Sequence, residues 1–158
     1  MIVTSTGIKN GMIADKYGKH GQNTFSLPLK IEDAPAETVS YAIVMEDKDA
    51  VPVCGFSWIH WTVANLTRTE LAENESVSAS DFVQGTTSRS GRLGGAGRLD
   101  SSFYDGPSPP DAPHVYEIHV FALDTKLDLK RGFYMNELYH AMEGHIIDQF
   151  TLKGTYRN

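Results

Sequence analysis

The chain has 158 residues, a length that fits one domain. Hydrophobic residues make up 41% of it and charged residues 22%, enough apolar material for the core of a soluble globular protein. A net charge of −6 argues against a nucleic-acid partner and against electrostatic attachment to an anionic membrane surface, so any anionic ligand has to be held by local donors.

The one cysteine, Cys54, excludes a disulfide framework within the chain and fits a reducing, cytoplasmic compartment. The N-terminal residues lack the basic region and long apolar core of a signal peptide. No run approaches the ~18–20 apolar residues of a membrane-spanning helix. Sequons at Asn65 and Asn74 read as chance matches without a secretion signal.

In chain order, residues 1–24 are polar and read as an irregular arm or a weak first strand. Residues 25–29 alternate and predict a short edge strand, since Pro28 disfavours a central position. Residues 39–45 are almost wholly apolar with a β-branched bias, which predicts a strand buried on both faces. It ends at a charged turn, residues 46–50. Residues 56–66 form a second strand. Period two puts Phe56, Trp58, His60 and Thr62 on one face and Ser57, Ile59, Trp61 and Val63 on the other.

Residues 67–80 are polar and acidic and read as a connection, and residues 81–84 as a short strand. Residues 85–102 form a long Gly/Ser/Thr-rich loop carrying Arg89, Arg92 and Arg98, and loops of that length are usually functional or mobile. Between Gly106 and His114 lie four of the seven prolines. Proline fixes φ and restricts its predecessor, so this segment is stiff. It delivers His114 and Tyr116 to the mouth of a strand, residues 114–123. Residues 124–131 read as a turn. Leu138, Ala141, Met142, His145, Ile146 and Gln149 recur at helical spacing, with Asn136 as N-cap and Glu137 favouring the helix start. A short strand, residues 150–156, follows.

Asp47 and Asp49 sit just past one strand, His60 lies inside a second, and His114 and Tyr116 open a third. If the three strands are neighbours, these polar groups converge at one end of a sheet, as small-ligand sites do. Taken singly, the two aspartates are as well explained as turn formers, and His60 as a satisfied core histidine. No H-x-x-x-H or H-x-H spacing supports a metal, no G-x-S-x-G elbow supports a serine hydrolase, and no G-x-G-x-x-G supports a dinucleotide. The reading therefore includes no cofactor and no metal, and Cys54 reads as a small, at least half-buried residue.

Five pieces in order carry a resemblance. They are residues 42–50 (AIVMEDKDA), residues 58–61 (WIHW), residues 106–110 (GPSPP) with His114 and Tyr116, residues 120–124 (VFALD), and residues 141–145 (AMEGH) with residues 154–157 (GTYR). Together they resemble the phosphatidylethanolamine-binding protein family, and within it the bacterial Raf kinase inhibitor-like branch. The resemblance implies one mainly β domain, in which a large central antiparallel sheet packs on a smaller sheet with a C-terminal helix. It also implies a small anion pocket lined by Asp47, Asp49, His60, Pro107, His114 and Tyr116. Phosphate, phosphorylated head groups and small carboxylates are the ligands it implies, with a kinase or protease as protein partner and a homodimer among the assemblies.

The pattern departs from the family's at three places. Lys48 and Val51 stand where the family has prolines, which puts a cation at the rim. Val115 stands where an arginine usually follows the histidine, and Arg89, Arg92 or Arg98 are the residues available to compensate. A protonated histidine donates to anions, and a neighbouring carboxylate favours that charged form. Asp47 beside His60 or His114 would thus hold an anion that is lost as pH rises. The leading function is a ligand-binding protein. The alternatives are a hydrolase or lyase using His60 and His114 as acid and base, and an inhibitor acting through its surface.

Overall fold

The computed structural model describes residues 1–158. The elements are β1 (Ile2–Thr4), β2 (Ile8–Lys9), β3 (Met12–Ile13), β4 (Leu29–Glu32), β5 (Ser40–Asp47), α1 (Val51–Cys54), β6 (Trp58–Leu66), β7 (Glu70–Leu71), α2 (Glu75–Ser78), β8 (Val83–Gln84), β9 (His114–Leu123), α3 (Met135–Met142) and β10 (Ile146–Tyr156). Seven strands form a large sheet in the order β2-β3-β10-β9-β5-β6-β8, antiparallel except where β3 meets β10. Three strands, β1-β4-β7, form a small antiparallel sheet.

Alternation along the central strands builds two cores. Tyr41, Ile43 and Met45 of β5, with Tyr116, Ile118 and Val120 of β9, pack on Val3, Leu29, Ile31 and Leu71 of the small sheet. Ala42 and Val44, with Phe121 and Leu123, pack on Leu138 and Met142 of α3. Strand β5 is buried on both faces because each face has a layer over it. At one end of the first core the alternation continues as Asp47 and Tyr116, which are paired in register.

The structure departs from the sequence expectations in four places. The segment expected as an edge strand at residues 25–29 joins the ladder only at Leu29, since Pro28 has no N–H to give. The expected connection at residues 67–80 contains β7 and α2.

The late helix starts at Met135 with Tyr134 as N-cap, in place of Asn136, and Glu137 accepts the Tyr134 N–H at 2.7 Å. It ends at Met142, and Gly144 (φ 79°) turns the chain into β10, which pairs along the whole of β9. His145, Ile146 and Gln149 thus leave the helical stripe, and His145 is exposed with Nδ1 2.8 Å from Asp124 Oδ1.

The fourth departure is in β6. Met45 pairs with Trp61 but Glu46 pairs with Ile59, so the register shifts by one residue at His60. That bulge turns His60 and Trp61 toward the same face, where simple alternation puts them on opposite ones. Trp61 enters the first core beside Met45, and His60 stacks edge-on against Tyr116 with ring centroids 5.0 Å apart.

Candidate functional site

A cavity of about 270 Å³ opens at the Asp47–Tyr116 end of the large sheet. It is lined from three adjacent strands, two loops and the α1 segment, which contributes Ala50, Val53 and Cys54. Asp47 comes from β5, Trp58 and His60 from β6, and His114 and Tyr116 from β9. Arg89 comes from a turn of 3-10 helix, Ser88–Ser90, and Asp105 to Pro110 close the far wall.

That wall is the proline segment, and it is fastened on both sides. The Asp105 N–H donates to the His60 carbonyl at 2.8 Å. The Lys19 N–H donates to the Pro107 carbonyl at 2.9 Å, and the Lys19 ammonium to that of Pro109. Gly18 and Gly106 allow this close approach, since a Cβ on either would collide with the facing backbone. The N-terminal arm therefore braces the stiff segment that presents His114.

His114 Nδ1 lies 2.8 Å from Asp47 Oδ2, and its Nε2 lies 2.9 Å from Asp111 Oδ1. Burial opposes its charge, but the Asp47 and Asp111 carboxylates outweigh that and hold its pKa above the ordinary imidazole value. Both nitrogens are spent on protein acceptors. His114 thus supplies a charge beside the cavity and no free donor, which corrects the expectation that it donates to an anion. The other oxygen of Asp47 accepts the Ala50 N–H at 3.1 Å and starts α1.

His60 differs. Its Nδ1 is 2.7 Å from the Asp105 carbonyl oxygen, which can only accept, so the proton sits on Nδ1. Burial holds its pKa below the usual value, despite the nearby Asp105 and Asp47 carboxylates. Nε2 is therefore a bare lone pair with no hydrogen bond to the protein, on a residue that lines the cavity. The Tyr116 hydroxyl is fully buried and also unpartnered. Burial, and then Asp47, raise its pKa, so it stays a neutral O–H donor. Asp105 is held by Trp58 Nε1 at 3.2 Å and by Arg89 Nε at 2.7 Å.

Of the residues expected at the pocket, Asp47, His60, His114 and Tyr116 line the cavity and Asp49 and Pro107 do not. Asp49 Oδ2 accepts the Val115 N–H at 2.8 Å and ties the 46–50 turn to β9. Pro107 faces the N-terminal arm. Lys48, expected at the rim, reaches Glu117 and Glu46 on the opposite face of the sheet.

Cys54 is half-buried at the cavity edge, its thiol 3.3 Å from the carbonyls of Ala50 and Phe56. Trp58 and Asp105 join the expected residues, and of the three loop arginines Arg89 is the one that lines the cavity. Asp105 begins the proline segment and Trp58 neighbours His60, but only the arginine content of the 85–102 loop pointed to Arg89.

The opposite face carries the one cluster with metal-ligand types, Glu46, Glu117 and His119, whose ligand atoms lie within 4.8 Å of one another. The Lys48 ammonium sits 3.4 Å from Glu46 Oε1 and bonds Glu117, so a side-chain cation already occupies this position. A larger cleft of about 650 Å³ lies over the small sheet. Its arginine, Arg68, is fully engaged by Glu75 and Asp81.

Comparison with known proteins agrees with this architecture. Residues 4–157 match the family described as phosphatidylethanolamine-binding protein, and the chain belongs to that family. Protein YxkA of Bacillus subtilis is 41% identical over 145 residues, covering 88% of this chain and 85% of its own. A UPF0098 protein of Chlamydia trachomatis is 37% identical over 161 residues, covering 99% and 98%. Among solved structures, the phosphatidylethanolamine-binding protein homologue CT736 of Chlamydia trachomatis superposes with a TM-score of 0.83 at 34% identity, covering 99% of this chain and 96% of that one. E. coli YbcL shares the fold, with a TM-score of 0.78 at 24% identity over 99% and 97% of the two chains.

Proposed function

We propose that this chain is a small-anion-binding protein of the bacterial Raf kinase inhibitor-like branch. Its ligand is phosphate, a phosphorylated head group or a small carboxylate, held in the cavity between Asp47, His60 and Arg89. The observation that carries this reading is the set of polar groups aimed into one small cavity with no protein partner: the Tyr116 hydroxyl, His60 Nε2 and the guanidinium end of Arg89. Of these the Tyr116 hydroxyl is fully buried; an unpartnered buried polar group is costly, and a ligand that pairs it recovers that cost. The cavity is below the ~300 Å³ at which drug-sized sites begin, so a head group or small acid fits and a nucleotide does not. A kinase or protease is the class of partner the resemblance implies, and the single cysteine supports a cytoplasmic setting.

The acid–base alternative is less well supported. Catalysis by His60 and His114 together needs a free nitrogen on each, and both nitrogens of His114 are engaged.

The reading is tested by calorimetric titration of phosphate from about pH 5 to about pH 9. His114 keeps its proton past the ordinary value of ~6.5 and loses it at higher pH. Its loss leaves the Asp47 and Asp111 carboxylates without a counter-charge beside the cavity. Affinity is expected to fall by about tenfold or more across this rise. Flat affinity over the whole range contradicts the reading.

A further inference from the structure

We propose that the cavity selects an oxyanion that still carries a proton, with Arg89 holding its charged oxygens and His60 Nε2 accepting its O–H. The inference rests on the anion-pocket reading and names the ligand class that reading leaves open.

Two groups on the cavity wall have opposite demands. Arg89 spends only Nε, on Asp105 Oδ1, and its Nη groups have no protein acceptor. A guanidinium with two free Nη groups matches two oxygens of one phosphate or carboxylate.

The arginine is placed by its backbone. Thr87 caps the 3-10 turn, Ser88 Oγ accepts the Ile59 N–H of β6 at 2.8 Å, and the Arg89 carbonyl accepts the Ala96 N–H at 2.9 Å. Gly94 packs so closely on Arg89 that a Cβ there would collide with its backbone. The 85–102 loop thus wraps around the residue that meets the ligand.

His60, by contrast, presents a lone pair, fixed by the Asp105 carbonyl behind it. The groups around that lone pair are Asp47 from β5, His114 and Tyr116 from β9, Asp105 from the proline segment, and Arg89. Asp111 lies behind His114. Only Tyr116 among them brings a neutral donor. A fully deprotonated oxyanion would set a negative oxygen against the His60 lone pair, in a low-dielectric site flanked by Asp47. An oxyanion with one O–H donates there instead and keeps its charge for Arg89 and Tyr116.

Sulfate and phosphate separate these cases. They are nearly the same size, but near pH 6 sulfate has no proton to give and inorganic phosphate is mainly its monoanion. Calorimetry of the full chain with each at about pH 6 is expected to show phosphate tighter by about tenfold or more. Arg89→Gln is expected to weaken phosphate by about 10- to 100-fold, and Arg89→Lys by less, because it keeps the charge without the fork. Arg89 is 60% exposed, and an unchanged thermal midpoint in both variants checks that the fold survives.

Equal or tighter binding of sulfate, or an unchanged affinity in Arg89→Gln, overturns this inference and leaves the anion pocket standing. A wild-type protein that binds neither ion overturns both.

Discussion

His114 and His60 lie in one cavity and carry opposite electrostatic duties. His114 is clamped between two carboxylates and is stabilised as the cation, while His60 is buried against a carbonyl and is stabilised neutral. The sign for His114 follows from its raised pKa. Its pairing stabilises the fold fully below the unfolded value of ~6.5, and that contribution disappears as pH rises through the folded value. Asp47→Asn removes the buried partner, since both side chains are only 4% exposed. The expected outcome is a loss of about 3 kcal/mol at pH 6, read from urea unfolding, which shrinks at alkaline pH. An NMR titration should also show the His114 pKa falling toward the ordinary value. An unchanged His114 titration in Asp47→Asn would mean that Asp47 is not what charges it.

Bulges in β6 decide what the strand presents. One bulge turns both His60 and Trp61 to the cavity side, and the second lies between Val63 and Leu66, where Asn65 has φ 62°. The Asn65 side chain clamps the turn after β9. Its Nδ2 donates to the Leu127 carbonyl at 2.8 Å and its Oδ1 accepts the Leu127 N–H at 2.7 Å. Asn65→Ala loses both bonds and strains the left-handed backbone, which costs about 2–4 kcal/mol by urea unfolding. Asn65→Gly loses only the bonds, so it is expected to be about 1–2 kcal/mol better than Ala. Equal losses in the two variants would contradict the backbone part of this account.

These elements also show what was legible beforehand. The positions of β5 and β9 follow from their apolar, β-branched-rich runs, Asp47, His114 and Tyr116 from where those strands end, and His60 from its place between the two tryptophans of β6. Period two puts Trp61 on the face opposite His60, because a bulge leaves no mark in such a pattern. The sequence offers Arg89, Arg92 and Arg98 alike for the pocket, and which of them enters depends on how a Gly-rich loop folds back, which no periodicity encodes. Lys48 leaves the rim for the opposite face because Glu46 and Glu117 draw it there.

For the whole molecule, the net charge of −6 opposes anion binding at long range, so a site for an anion has to be built from short-range donors in a partly dry cavity. The fold builds a small polar cavity at the end of the large sheet where β9, β5 and β6 meet the braced proline segment. Family membership and the close superposition on CT736 explain why the architecture is here. The central claim is that an anion sits between His60 and Arg89. A crystal structure of the protein grown at acidic pH with phosphate tests it most directly. The account predicts a phosphate in the cavity with one oxygen within hydrogen-bond distance of His60 Nε2 and two near the Arg89 guanidinium. Phosphate bound elsewhere, with only water between His60, Tyr116 and Arg89, would contradict it.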